Sequence, residues 1–252
     1  MSYAPSSGGA TGYLVLRRVG TAPAEVPADG TAYNAGTVLG SSRVSYAGSA
    51  TTLNETGLTP GTTYYYAVYA YAGSGSKANY LTANPLAGFT ITIPDAPVLS
   101  VASAIGQHGF TANWSSVTGA SGYALDVSSD NFASLVTGYE GALTGDVNTF
   151  PITGLGGGIV YQYRLRAVNA SGTSSPSASQ SQLTSPENPV NLSTSDVTSS
   201  GFTVTWDIVT GADNYLVDVS TDTNFSVLTV NDASTTTPAI TLTGLTNATT
   251  YF

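Results

Sequence analysis

The chain contains no cysteine, which excludes disulfide staples and thiolate metal sites. Charge is also scarce. Asp, Glu, Lys and Arg make up 8% of 252 residues, against about a quarter in an average domain. Basic residues are the rarest: Lys77 is the single lysine, and the other cations are Arg17, Arg18, Arg43, Arg164 and Arg166. A net charge of −9 repels phosphate backbones, so nucleic acid is not an expected partner. No apolar run is long enough to cross a bilayer, and membrane insertion is not expected. His108 is the only histidine, and no nucleophile-and-base pattern recurs around it, so neither catalysis nor a cofactor is expected. Met1 to Ala10 lacks the basic start and apolar core of a signal peptide; any export signal is expected to lie upstream.

What the chain does have is apolar residues (41%) and a surface vocabulary of Ser, Thr, Gly, Asn and Tyr. Its length suits two or three small modules, each with its own core. One spacing recurs three times: Leu58 and Tyr64, Leu155 and Tyr161, Leu245 and Tyr251, each pair separated by five residues. In a β-sandwich this spacing marks a corner, where the Tyr opens a strand and returns its hydroxyl to the turn before it. The middle copy reads most completely. Val98 to Ala102 is an expected first strand, and Gly109 to Trp114 a second, with Phe110, Ala112 and Trp114 on one face. Tyr123 to Ser128 alternates apolar Tyr123, Leu125 and Val127 with polar residues, and Tyr161 to Ala167 alternates around outward Gln162, Arg164 and Arg166. Such alternation is the signature of antiparallel sheets with one wet face, so Asp126 and Ser128 are expected in solvent.

The third segment repeats this plan. Gly201 to Trp206 matches Gly109 to Trp114 in type and phase, and Trp206 and Tyr215 stand at the same offset from Trp114 and Tyr123. Short linkers with two prolines, Pro94-Asp95-Ala96-Pro97 and Pro186-Glu187-Asn188-Pro189, separate the copies. With its Trp, Tyr and Leu–Tyr corner, and with the run Tyr161 to Asn169, the chain resembles tandem fibronectin type III domains. That resemblance implies an all-β fold of Ig-like antiparallel sandwiches. It says little about function, because this sandwich hosts many roles. The expected divisions are residues 1–94, 95–185 and 186–252. Aligning Gly8 to Tyr13 with Thr118 to Tyr123 places Tyr3 where Trp114 stands, so the first module is expected to lack its first strands. The last is expected to stop at the start of the strand that follows its corner. Both end modules are therefore read as truncated.

The first module has one anomaly. The stretch from Tyr13 to Leu58 is longer than its two counterparts, which places an Ala-, Pro- and Gly-rich insertion near residues 20–40. In the same module, Leu14, Leu16, Tyr65, Tyr69 and Tyr71 fall at outward positions, and Leu16 takes the place of Asp126 and Asp218. An outward Leu and Tyr patch needs a cover or a partner. The insertion is the expected cover; glycan stacking on the rings is the competing expectation.

Two acidic spacings, Asp126-x-Ser128-x-Asp130 and Asp218-x-Ser220-x-Asp222-x-Asn224, imitate the start of a calcium loop. Asn131 and Thr223 stand where its glycine must be, so no metal is expected. The expected role is a non-catalytic spacer or stalk in a large secreted or cell-surface bacterial protein, touching mainly its neighbouring modules. The alternatives are an adhesive module for glycan or surface protein, or an accessory module of an extracellular polysaccharide-degrading enzyme.

Overall fold

The computed structural model covers residues 1–252 and is built almost wholly of antiparallel strands. The middle module shows the plan most fully. Its strands follow the six of the first module, β1 (Gly12–Val19), β2 (Val38–Leu39), β3 (Ser42–Gly48), β4 (Thr63–Ala72), β5 (Asn79–Tyr80) and β6 (Leu86–Ile91). The middle module comprises β7 (Leu99–Gly106), β8 (Gly109–Trp114), β9 (Gly122–Ser128), β10 (Glu140–Leu143), β11 (Thr149–Thr153), β12 (Val160–Asn169), β13 (Gly172–Thr173) and β14 (Gln180–Leu183). One sheet runs β11-β8-β7. The facing sheet runs β10-β9-β12, with β13 and β14 both paired to β12. This is the strand order of a fibronectin type III sandwich. Phe110, Ala112 and Trp114 of one sheet meet Tyr123, Leu125, Val127, Tyr163, Leu165 and Ala167 of the other in a single core.

The third module carries β15 (Ser193–Ser195), β16 (Gly201–Thr205), β17 (Tyr215–Ser220), β18 (Leu228–Thr235) and β19 (Ala239–Thr243). Its three-stranded sheet β15-β16-β19 repeats β7-β8-β11, and β17 pairs with β18 as β9 pairs with β10. The first module is a single sheet of order β2-β3-β1-β4-β5, with β6 also on β4. Apolar residues cover both its faces: Tyr13, Val15, Tyr64, Tyr66 and Val68 on one, Leu14, Leu16, Ala67 and Tyr69 on the other.

All three corners close as the spacing predicts. The hydroxyl of Tyr64 accepts from the Thr59 amide (2.9 Å), that of Tyr161 from Gly156 (3.0 Å), and that of Tyr251 from Thr246 (2.8 Å). A second set of tyrosine locks lies in the sequence but shows itself only in three dimensions. The hydroxyls of Tyr13, Tyr123 and Tyr215 accept from the amides of Ser6, Val117 and Val209, at 2.8, 2.9 and 2.9 Å. Each of these rings also meets an aromatic edge at nearly one geometry. Trp114–Tyr123 and Trp206–Tyr215 are T-shaped pairs at 5.3 and 5.2 Å, and Tyr3–Tyr13 repeats them at 5.1 Å. Tyr3 thus does stand in for the missing tryptophan. The buried indole N–H groups of Trp114 and Trp206 have no hydrogen-bond partner.

One expectation fails. Every residue of β9 is buried, Asp126 and Ser128 included. The wet face is covered because Asp126 is gripped from β12. Its Oδ2 lies 2.9 Å from Arg164 Nε and 3.0 Å from Arg166 Nη2, while Oδ1 accepts from the Gly141 amide of β10 at 2.9 Å. Arg164 is in turn stacked over the Phe132 ring at 4.2 Å. Alternation located the face correctly, but it could not show what lies on top.

Candidate functional site

The candidate patch of the first module lies on one face of the β1–β4 pair, and strand register sets its make-up. Leu14 faces Tyr69, Leu16 faces Ala67 and Arg18 faces Tyr65 across the β1–β4 ladder. In the middle module the corresponding ladder brings Ala124 to Arg166 and Asp126 to Arg164. The first module has therefore exchanged an ion-paired face for an apolar one. Leu16 and Ala67 replace the Asp126–Arg164 pair, and Tyr69 replaces Arg166.

The 20–40 segment lies over this apolar face and is fastened at several points. The Tyr69 hydroxyl donates to the Glu25 carbonyl (3.0 Å) and the Tyr80 hydroxyl to the Thr31 carbonyl (2.9 Å). The Tyr80 amide donates to Asp29 Oδ1 (2.7 Å), and the Gly30 amide to the Ala78 carbonyl (2.7 Å). Tyr33 packs its edge on Tyr80 at 5.8 Å. Leu14, Leu16 and Tyr69 are consequently in a core, with at most 3% of their surface exposed. As ligand-binding residues these three are corrected: the cover excludes anything else from them. Tyr71 is half-buried, with its ring 5.3 Å from Tyr80. Burial raises the pKa of Tyr69, with the Glu25 carboxylate adding to the shift, and burial likewise raises that of Tyr80.

Tyr65 differs. It is half-buried, and its ring lies 5.4 Å from Phe89 on the neighbouring β6. Phe89 is 71% exposed. The pair, with Arg18 beside Tyr65, is the accessible remainder of the patch. Leu86 to Ile91 is apolar at both parities and does not single Phe89 out; only strand pairing places it against Tyr65.

Glu25 is the latch of the cover. Its carboxylate accepts from the Ser41 amide (2.7 Å) and from the Ser42 hydroxyl. These bonds, the Ser42 hydroxyl first and then the Ser41 amide, hold its pKa down at about 2. A pKa depressed by folding means the latch is at full strength above the unfolded value of about 4.3 and is lost as pH falls towards 2. The Ser41 amide resonance is expected to follow this titration with a midpoint near 2, and to lose it in Glu25→Gln. A midpoint near 4.5 would show an unlatched carboxylate.

The acidic loops are internally satisfied. Asp130 accepts from the Ser134 amide and from the Ser128 and Ser134 hydroxyls, and its pKa is lowered to about 2, chiefly by Ser134. Asp222 accepts from the amides of Asn224 and Ser226, both at 2.8 Å. These bonds hold each loop in shape, and Asp126 is bound to the two arginines on β12.

No family model matches the chain. Exoglucanase B of Cellulomonas fimi is 31% identical over 240 residues, covering 81% of this chain and 19% of that protein. The chain thus spans about a fifth of the length of this curated relative. Among solved structures, FN3tt is 28% identical and covers 38% of this chain and 98% of its own, with a TM-score of 0.31. A two-domain fibronectin type III segment of chicken tenascin is 20% identical, covers 63% and 86%, and has a TM-score of 0.35. At such scores these likenesses add nothing to the strand order already described. No helix is long and apolar enough to cross a membrane.

Proposed function

We propose that the chain is a non-catalytic spacer, an accessory array in an extracellular bacterial protein that degrades polysaccharide. The observation that carries this reading is the 31% identity to a stretch of Exoglucanase B that spans most of this chain and only 19% of the exoglucanase. Composition supports it. A surface of neutral hydroxyl and amide groups stays hydrated with little dependence on salt, and a core in each module lets the modules keep their shape in series. The role is to set the distance between a catalytic domain and whatever else its protein holds. Reading the coding sequence on both sides of residues 1–252 tests this. A flanking domain with paired carboxylates in a cleft is expected. Flanks made only of further sandwiches and a surface anchor would make the chain a stalk instead.

The Tyr65–Phe89 pair, half-buried at Tyr65 and exposed at Phe89, favours a second reading, direct contact with glycan through the aromatic faces. Retention of the purified chain on insoluble cellulose, lost in Phe89→Ala, would support it. Equal passage of both proteins through the matrix would leave the spacer role alone.

A further inference from the structure

The two joints between modules are built alike, and each is built on glycine. At the first joint, Gly61 of the first corner lies against the Thr118-Gly119 turn of the middle module. A Cβ on Gly61 would meet the Thr118 carbonyl oxygen at 1.8 Å, and a Cβ on Gly119 would meet the Gly61 oxygen at 2.0 Å. At the second joint, a Cβ on Gly158 would meet the Thr210 oxygen at 1.9 Å, and one on Gly211 would meet the Gly158 oxygen at 2.4 Å. All four glycines have positive φ, between 60° and 74°. The linkers are tied in alike too: the Gly61 amide donates to the Ile93 carbonyl (3.1 Å) and the Gly158 amide to the Ser185 carbonyl (2.9 Å), each just before a linker proline. Two joints of different linker sequence, Pro-Asp-Ala-Pro and Pro-Glu-Asn-Pro, thus arrive at one backbone-on-backbone contact.

We propose that this reciprocal glycine contact is the docking rule of the array: the left-handed glycine four residues before the tyrosine that starts the central strand accepts a corner that is itself glycine, and this fixes the angle between modules. Each contact leaves no room for a side chain on either partner. Backbone surfaces that touch without intervening side chains also have no rotamers to yield, so the joint is stiff. Other bonds then brace it. Asn169 Nδ2 donates to the Thr92 carbonyl (2.8 Å) and the Gly119 carbonyl (3.1 Å) at the first joint. Gln107 Nε2 donates to the Pro186 carbonyl and to Asn188 Oδ1, both at 3.1 Å, at the second.

The rule distinguishes two further positions. Gly9 occupies the turn position of Gly119 and Gly211, has φ of 75°, and has open space where a corner would sit. It is a receiving turn for a glycine corner of another such module. Ala248 occupies the corner position of Gly61 and Gly158 and keeps the left-handed backbone, with φ of 54°. Its methyl group fills the space the contact needs, so a module packing on that corner must sit further off, at a looser joint.

Gly158→Ala in the full chain copies the Ala248 corner onto an existing joint. The rotational correlation times of β4, β12 and β16, from amide 15N relaxation, provide the readout. In the unaltered chain the three strands are expected to tumble as one body. Gly158→Ala should free β16 from β12 while β4 stays with β12, and Gly61→Ala should free β4 from β12. Gly211→Ala and Gly119→Ala strike the same contacts from the other side, and must give the same separations even where a corner variant disturbs its own fold. Gly154→Ala is the control, since Gly154 has φ of 74° and nothing within 4 Å. It carries the same backbone strain, lies four residues from Gly158, and should leave all three strands together. Independent tumbling in the unaltered chain would overturn the proposal. So would joint tumbling in the Gly119 and Gly211 variants, or separation in the Gly154 control.

Discussion

Leu16→Asp is expected to unfold the first module while leaving the other two folded. Leu16 is fully buried between Ala67 on β4 and Val44 on β3, under a cover that excludes water. Losing the leucine removes about 2–3 kcal/mol of apolar burial. The desolvated carboxylate costs several kcal/mol more, because no cation faces it from β4 as Arg164 faces Asp126. Together these approach the whole stability of a small domain, about 5–15 kcal/mol. Tryptic cleavage at Arg17, Arg18, Arg43 and Lys77 should become fast, and β1 and β4 should lose protection from amide exchange. The fluorescence of Trp114 and Trp206 should not change. Retained protection in β1 would mean that water already reaches beneath the 20–40 segment, and the account of the cover would be wrong.

Asp126→Ala in the middle module is the mirror experiment. It is expected to lower stability by about 2–4 kcal/mol. Breaking a buried pair from one side costs about 3–5 kcal/mol because the partner charge is left behind. The arginine side chains here are 29% and 28% exposed, and solvent takes part of that charge back. Unfolding in urea, followed by exchange at amides of β9, β10 and β12, measures the loss. A change under about 0.5 kcal/mol would return Asp126 to the exposed position that alternation alone assigns it.

These two experiments fall at one topological position, and they show where the sequence could be read and where it could not. The corners, the strand phases and the substitution of Tyr3 for tryptophan follow from local spacing, since a strand side chain's face depends only on its parity. The candidate patch was found by the same parity, and its location on the sheet is right. What parity cannot supply is the layer above. Parity alone puts Asp126 in solvent, because its two arginines sit on a strand far along the chain. The long stretch from Tyr13 to Leu58 announces a cover for Leu14, Leu16 and Tyr69, but the bonds from Tyr69 and Tyr80 to the Glu25 and Thr31 carbonyls that fasten it carry no spacing signal. The joint glycines were visible as glycines, but their purpose depends on two turns meeting across a module boundary.

The tyrosine locks have a consequence for assembly kinetics. Neighbouring modules of similar sequence risk exchanging strands while they fold, because each offers its neighbour a nearly correct partner. Each hydroxyl lock here closes a loop of only five to seven residues. Contacts over so short a span form at little loop-closure cost and ahead of distant strand pairing. A chain that locks its turns first commits each strand to its own module before a neighbour's strand can compete. The repeated aromatics thus act as checks on misassembly as well as pieces of the core.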